Sequence, residues 1–376
     1  MNQTESADGA SANRNRVFAA ISIMLGLVFA VIVAEWGLGV YFQRLQSQSM
    51  DTGFMRYHPQ LGWSLSPEWS GQHRHYDYQA TYNLGPAGFR EQPPKAATGA
   101  ASQRIAVLGD SFTFGLGVED KETFTAVLNA SGDAEFINYG VPGTSTDQQL
   151  LLLNQLMRRD PPDEVVLILY LPNDILDNTL DYPLQAEQAK PLFVLNNGQL
   201  ELDNVPVPRA AKPARLRSTS MGSIVLDGFD AREGWLDGLQ IGRMLDSVMG
   251  GRAYDAAELQ PVLASNLEPA LTLFNALLRE MAAVSRRNRA QFSLALLPGR
   301  DGVSNDSGIS HHYQDYLRQE VLTLAGSANI PTIDLMAAIE AQNREEIRSF
   351  YFANDGHLTP TGHRFVAGVL EAQFTD

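Results

Sequence analysis

The sequence predicts an α/β fold in which a central parallel sheet is covered by helices on both faces, with an apolar helix at the amino terminus. Three observations support this prediction. After residue 104, short apolar runs alternate with helical patterns, as expected when crossover helices connect parallel strands. The run Val165–Leu171 is almost continuous in Val, Ile and Leu, which is typical of a central strand buried on both faces. Residues 17–34 carry no charge and are long enough to span a bilayer.

Composition excludes several classes of function. The 376 residues carry a net charge of −15, and this acidic balance lacks the basic surface that nucleic-acid binding requires. We therefore expect no nucleic-acid partner. The chain has 0 cysteines, which excludes a disulfide framework, a thiolate nucleophile and a cysteine-based zinc site. No cofactor is predicted, because the glycines near residue 109 match no phosphate-binding motif, and no metal is predicted, because His73 and His75 have no third metal-binding residue nearby.

The amino-terminal apolar segment predicts a single-pass membrane anchor. Aromatic residues near its far end suit the membrane interface, and Arg14 and Arg16 favour a cytoplasmic amino terminus. A cleaved signal peptide is the alternative, but Ile32-Val-Ala34 matches a small-x-small cleavage site poorly. The rest of the chain is then predicted to lie outside the cytoplasm, in the periplasm.

Five segments organise the chain. Residues 1–16 are interpreted as a disordered cytoplasmic tail, 17–42 as the anchor, and 43–103 as a stalk followed by an amino-terminal β extension. Residues 104–376 form the main domain, with an insertion at 181–264 where the strand and helix pattern lapses.

Two histidines lie in the β extension, where the aromatic segment Tyr76–Tyr82 predicts an edge strand or hairpin. His73 and His75 have no third metal-binding residue nearby. We therefore interpret them as exposed polar residues on a strand rather than as metal ligands.

The main domain alternates strands and helices in order. The helix over 146–159 follows from its apolar face of leucines and a methionine, and the Asn-Gly pair at 197–198 predicts a hairpin inside the insertion. Thr359 and Pro360 predict the start of the last helix, as N-cap and first helical residue. The predicted strands are 105–108, 136–139, 165–171, 292–297 and 330–335, and the predicted helices are 122–130, 146–159, 267–287, 313–324 and one from 359.

Ser111 follows the first strand of this domain, at the carboxyl edge where open α/β sheets bind their ligands. A serine there either caps a helix or acts as a nucleophile. Asp355 and His357 follow the fifth strand, at the same edge. A neutral imidazole can accept the serine proton, and a carboxylate can fix the imidazole's tautomer, so the three residue types together favour nucleophilic catalysis.

With these residues in these positions, the chain resembles the SGNH (GDSL-type) hydrolase family, in particular its membrane-anchored bacterial branch. Four blocks carry the resemblance in the family's order, over about residues 104–376: Gly109-Asp-Ser-Phe112, Gly140, Asn173-Asp174 and Asp355-Gly-His357. The acid lies two residues before the histidine, whereas many members have it three before. The shorter spacing is similar to that of branches that modify polysaccharide O-acetyl groups.

The resemblance implies a flavodoxin-like, three-layer α/β/α fold and a set of roles. Ser111 would be the nucleophile, His357 the base and Asp355 its partner. The oxyanion hole would be formed by the backbone N–H groups of Ser111 and Gly140 with the Asn173 side-chain amide.

These expectations lead to a function with two alternatives. The leading hypothesis is an extracytoplasmic, membrane-anchored serine esterase that hydrolyses or transfers a small acyl group, acetyl by preference, on a carbohydrate. A lipase, lysophospholipase or thioesterase keeps the same chemistry, but the insertion is mixed rather than apolar. The third reading is a non-catalytic scaffold in envelope polysaccharide assembly.

Overall fold

The computed structural model describes residues 4–93, 103–131, 134–217, 221–227, 240–241, 244 and 253–374. The chain divides into two compact units. One comprises residues 1–47 with 230–251, and the other comprises residues 48–229 with 252–376. The sequence also predicts a small-residue linker over residues 93–103 and an amphipathic region near residues 224–249, and most of each lies outside the described residues.

The smaller unit contains one long helix, α1 (Thr4–Leu45). It begins inside the segment that we expected to be a disordered tail. The part Arg16–Leu45 is long and apolar enough to cross a membrane, a criterion that a signal sequence near the amino terminus also meets. Glu35 is the charged residue near the end of the apolar stretch, and its carboxylate accepts hydrogen bonds from the backbone N–H groups of Gln240 and Ile241.

The larger unit begins with the β extension. Its strands are β1 (Gln48–Met50), β2 (Met55–His58), β3 (Gly62–Leu65), β4 (Ser70–His75) and β5 (Gln79–Asn83). β4 pairs antiparallel with β1 on one side and with β5 on the other, and β2 pairs with β3. The predicted hairpin is therefore present, with its turn at residues 76–78.

The prediction that His73 and His75 are exposed is wrong. Both lie on β4 as expected, but His73 is only 2% exposed and the His75 side chain only 3%. The ring of His73 hydrogen-bonds Tyr82 Oη at 2.9 Å and Gln48 Oε1 at 3.1 Å, because β4 is paired on both edges and its inner face is covered. Burial lowers the pKa of His73 to about 4, so the ring is neutral at neutral pH.

A five-stranded parallel sheet forms the centre of this unit. Its strands are β6 (Arg104–Gly109), β7 (Glu135–Gly140), β8 (Glu164–Tyr170), β11 (Gln291–Leu297) and β12 (Thr332–Asp334), after the hairpin β9 (Leu192–Asn196) and β10 (Gln199–Asp203) of the insertion. The order is β12-β11-β8-β6-β7, and every neighbouring pair is parallel. β8 is central, as its composition predicts, and Val165–Leu169 are fully buried.

Helices flank the sheet and complete the predicted α/β/α architecture. Helix α4 (Thr146–Arg159) packs against α8 (Ala256–Arg287), and α3 (Phe124–Ser131) packs against α13 (Pro360–Phe374). In chain order the helices of this unit are α2 (Ser111–Phe114), α3 (Phe124–Ser131), α4 (Thr146–Arg159), α5 (Asp174–Asp177), α6 (Ala214–Arg217), α7 (Met221–Val225), α8 (Ala256–Arg287), α9 (Arg300–Ser304), α10 (Ile309–Ser327), α11 (Leu335–Glu340), α12 (Arg344–Ser349) and α13 (Pro360–Phe374).

Helix α8 starts earlier than the sequence pattern predicts. Pro261 and Pro269 lie inside α8 and interrupt the helical pattern of the sequence. For this reason the predicted helix began at Leu267. Asp255 caps the true start by accepting a hydrogen bond from the Ala257 N–H at 2.8 Å. The first turns of α8 therefore belong to residues that we assigned to the insertion.

The insertion is tied to the core by a buried ion pair. The ammonium of Lys190, from the insertion, binds the carboxylate of Asp147 in the first turn of α4, and both side chains have no exposed surface. Burial raises the pKa of Asp147, and the charge of Lys190 opposes that shift. Asp147 also accepts hydrogen bonds from Ser145 Oγ and the Gln148 N–H.

Replacing Lys190 should destabilise the fold. We expect Lys190→Met to lower the free energy of unfolding by about 3–5 kcal/mol, because it leaves a buried carboxylate without its cation. Urea denaturation followed by tryptophan fluorescence measures this change. The exposed Lys121 offers the matched control, and Lys121→Met should change stability by less than about 0.5 kcal/mol. Equal stability of the two variants would contradict the assignment.

Candidate active site

The structure shows how Ser111 is placed relative to the helix that follows β6. Helix α2 starts at Ser111, directly after β6, and its N-cap is Asp110, whose carboxylate accepts the Phe112 N–H at 2.8 Å. Ser111 therefore does not cap the helix. Its Oγ lies 2.8 Å from Nε2 of His357.

A continuous hydrogen-bond chain runs from Ser111 to Asp355. The other ring nitrogen of His357, Nδ1, lies 2.5 Å from Oδ1 of Asp355, and the backbone N–H of His357 donates to the same oxygen at 3.1 Å. The structure thus brings together the three side chains that the sequence predicted as a catalytic set.

The two-residue spacing between acid and base is explained by the loop that carries them. We call residues 352–358 the acid loop. The Phe352 N–H donates to the His357 carbonyl at 2.8 Å, and Gly356 takes a φ of 86°, in the left-handed region that favours glycine. This tight turn lets one carboxylate oxygen reach both the ring and the backbone of His357.

The charge on Asp355 is maintained by its neighbours. Burial opposes ionisation, but the hydrogen bonds from His357 and from the Tyr78 hydroxyl outweigh it and lower the pKa of Asp355 to about 2. The carboxylate is therefore ionised at any pH above about 3, as an orienting acid requires.

Two deeper carboxyl groups behave in the opposite way. Burial raises the pKa of Asp110 to about 6, and burial together with the charge of Asp110 raises the pKa of Asp174 well above its ordinary value. Asp174 accepts the Tyr170 N–H at 2.9 Å and so ties the start of α5 to the end of β8.

The predicted oxyanion donors differ in their surroundings. Asn173 follows β8, is 4% exposed, and donates one amide N–H to Asp177 at 2.8 Å. Its second amide N–H is therefore still available to donate to a ligand. The Gly140 N–H instead donates to Asn138 Oδ1 at 3.0 Å. A Cβ on Gly140 would lie 2.2 Å from the backbone nitrogen of Phe114, so this glycine permits close packing of α2 on β7.

A cleft of about 280 Å³ opens beside His357. Phe112 forms part of its wall and stacks on Tyr170 with ring centroids 4.0 Å apart, while Phe114 is fully buried beneath. The rest of the lining is mixed: Pro172, Met221 and Tyr313 are apolar or aromatic, and the polar side chains are Gln185, Arg300, Asp301, Ser310 and Gln314. Gln185 comes from the predicted insertion, which therefore contributes to the cleft.

Sequence reasoning missed two groups of residues at the site. Asp77 and Tyr78, in the turn between β4 and β5, contact the acid loop across more than 270 positions of sequence. Arg300 donates to the carbonyl oxygens of Phe352 and Ala353 in the same loop. No local pattern marks these contacts, since the aromatic segment Tyr76–Tyr82 predicted only an edge strand or hairpin.

Comparison with known proteins identifies related domains. Residues 107–365 match the GDSL-like lipase/acylhydrolase family. No curated protein matches the chain. Among solved structures, a lipolytic G-D-S-L protein from Veillonella parvula shares 14% identity at a TM-score of 0.36, covering 72% of this chain and 98% of its own.

Two further solved structures are similar at the same level. A lipase/acylhydrolase from Enterococcus faecalis shares 15% identity at a TM-score of 0.38, covering 72% of this chain and 95% of its own. An acetyl xylan esterase shares 13% identity at a TM-score of 0.39, covering 72% and 98%.

Removing the Ser111 hydroxyl should abolish reactivity. We expect Ser111→Ala to reduce turnover of p-nitrophenyl acetate by roughly 10³-fold or more and to prevent labelling by a fluorophosphonate, because only an activated serine reacts readily. Ser310 lines the same cleft, so Ser310→Ala is the matched control and should keep labelling. Labelling that survives in Ser111→Ala would exclude Ser111 as the nucleophile.

Proposed function

Because the chain belongs to the GDSL-like lipase/acylhydrolase family, whose members are serine ester hydrolases, we propose that it is a membrane-anchored, extracytoplasmic esterase. Its reaction is the hydrolysis or transfer of a small acyl group, acetyl by preference, on a carbohydrate. The observation that supports this proposal best is the hydrogen-bond chain from Ser111 through His357 to Asp355.

The geometry suits a two-step acyl transfer. Ser111 Oγ attacks the ester carbonyl carbon while Nε2 of His357 takes the hydroxyl proton. The bond to the sugar oxygen then breaks, and His357 returns the proton to that oxygen, leaving an acyl-serine. Water, or a hydroxyl of a second sugar, attacks the acyl-serine in the reverse sequence of proton transfers. Asp355 stabilises the imidazolium in both steps.

Backbone and amide donors would stabilise the oxyanion. Ser111 N–H and the second N–H of Asn173 lie after neighbouring strands, and the bond to Asp177 holds the amide in place. The N–H of Gly140 already donates to Asn138, so of the three predicted donors it would contribute least to binding an oxyanion.

The cleft favours a small acyl group and a polar acceptor. Its volume of about 280 Å³ leaves little room for a long chain, and Gln185, Arg300 and Asp301 offer both donors and acceptors to sugar hydroxyls. A lipase would need a longer apolar surface than this lining provides. A non-catalytic scaffold would have no need of the hydrogen-bond chain.

Acyl-chain length separates the esterase and lipase alternatives. We expect p-nitrophenyl acetate to be turned over at least about tenfold faster than the octanoate, because the cleft rejects the longer chain. Mass spectrometry of acetylated glycans after incubation should then show loss or transfer of acetyl groups. A preference for the octanoate would favour the lipase reading.

The membrane topology has its own test. The helix Arg16–Leu45 motivates an uncleaved anchor with a cytoplasmic amino terminus. We expect alkaline phosphatase fused after Asp376 to be active and the fusion to stay in membranes after carbonate extraction. Release of the fusion into the soluble fraction would indicate a cleaved signal peptide, and activity of a cytoplasm-only reporter at the same position would reverse the topology.

A further inference from the structure

We propose that Asp77 and Tyr78, in the turn of the β extension, are positioning residues of the active site. Asp77 holds the acid loop in place, and Tyr78 orients the carboxylate of Asp355. Both lie outside the family match, which begins at residue 107. The inference rests on the proposed function, since it assigns Asp355 the role of orienting His357.

Asp77 binds the backbone of the acid loop directly. Its carboxylate accepts hydrogen bonds from the Asn354 N–H at 2.7 Å, the Asn354 side-chain amide at 2.6 Å and the Asp355 N–H at 3.0 Å. Its side chain is only 10% exposed, so these charge-assisted bonds are largely shielded from water. The contact fixes the backbone of Asp355 and of the residue before it.

Tyr78 binds the carboxylate oxygen that His357 leaves free. Its hydroxyl donates to Oδ2 of Asp355 at 3.1 Å, while both contacts of His357 go to Oδ1. Burial and the charge of Asp355 raise the pKa of Tyr78 well above its usual value, so the hydroxyl remains a donor. With both oxygens occupied, the carboxylate cannot rotate away from the imidazole.

Packing holds Tyr78 in this position. Its ring lies 4.8 Å from the ring of Phe352 in the acid loop and stacks on His75 at 5.1 Å. Gly117 allows the close approach, because a Cβ there would meet Phe352 at 2.7 Å and Tyr78 at 3.0 Å. The hydroxyl therefore reaches Asp355 from a fixed ring rather than from a mobile side chain.

The decisive experiment removes the hydroxyl of Tyr78 or of Tyr76 by substitution with phenylalanine and compares the two variants, as full-length proteins in detergent. Tyr78→Phe keeps the ring but removes the donor, and we expect kcat to fall about tenfold or more with KM changed less than about twofold, because small misplacements of catalytic groups have large rate effects. The rate of fluorophosphonate labelling at Ser111 should fall by the same factor. Tyr76 neighbours it in the same turn and is 57% exposed, so Tyr76→Phe is the matched control and should match the wild type.

A double-variant cycle separates positioning from general support of the fold. If Tyr78 acts through Asp355, Tyr78→Phe should have almost no further effect on kcat in an Asp355→Asn background. Asp77→Asn should lower kcat in the wild-type background, since it turns an acceptor into a donor facing the loop N–H groups. Undiminished labelling of Tyr78→Phe, or full additivity in the cycle, would overturn this inference alone. A wild-type protein that fails to label would overturn it together with the proposed esterase.

Discussion

The parallel pairing of all five sheet strands is the constraint from which the site follows. Because β6, β8 and β12 run in the same direction, the residues after them emerge at one edge. Ser111 follows β6 directly, Asn173 follows β8, and the acid loop follows β12 after two short helices. Residues separated by 246 positions can therefore form a 2.8 Å hydrogen bond. An antiparallel strand in the middle of this sheet would place its carboxyl end at the opposite edge and separate the groups.

The carboxyl groups of the site differ in the direction of their pKa shifts according to how deeply each is buried. Asp355 lies where three N–H or O–H groups reach it, and its pKa falls to about 2. Asp110 and Asp174 are buried more deeply than Asp355, and burial raises the pKa of each. Burial therefore favours the protonated form of Asp174, whereas Asp355 keeps its negative charge beside the imidazole of His357, where it stabilises a protonated ring.

Local periodicity was sufficient to predict the central strands and most of their helices, and so to place the candidate residues Ser111 and His357 at one edge of the sheet. The continuous run of β8 and the apolar face of α4 appear in the structure close to their predicted bounds. Ser111 and His357 were found because reactive residue types followed predicted strands. The start of α8 was predicted too late because prolines inside a helix resemble the signal for a helix boundary. The burial of His73 was not predicted because the strands that pair with β4 cannot be identified from the sequence of β4 itself. The contact between Tyr78 and Asp355 spans 277 positions, which no periodicity can encode.

The turn between β4 and β5 also sets a limit on how an active soluble form could arise. The family match starts at residue 107, yet the groups that steady the acid loop lie some thirty positions upstream, in the same compact unit. Proteolytic cleavage between α1 and β1 would release a fragment that keeps every contact described for the candidate site. Cleavage after β5 would instead separate Asp77 and Tyr78 from the polypeptide that carries the acid loop. The β extension is thus the upstream boundary of the smallest fragment expected to retain the complete site, well before the point where sequence similarity begins.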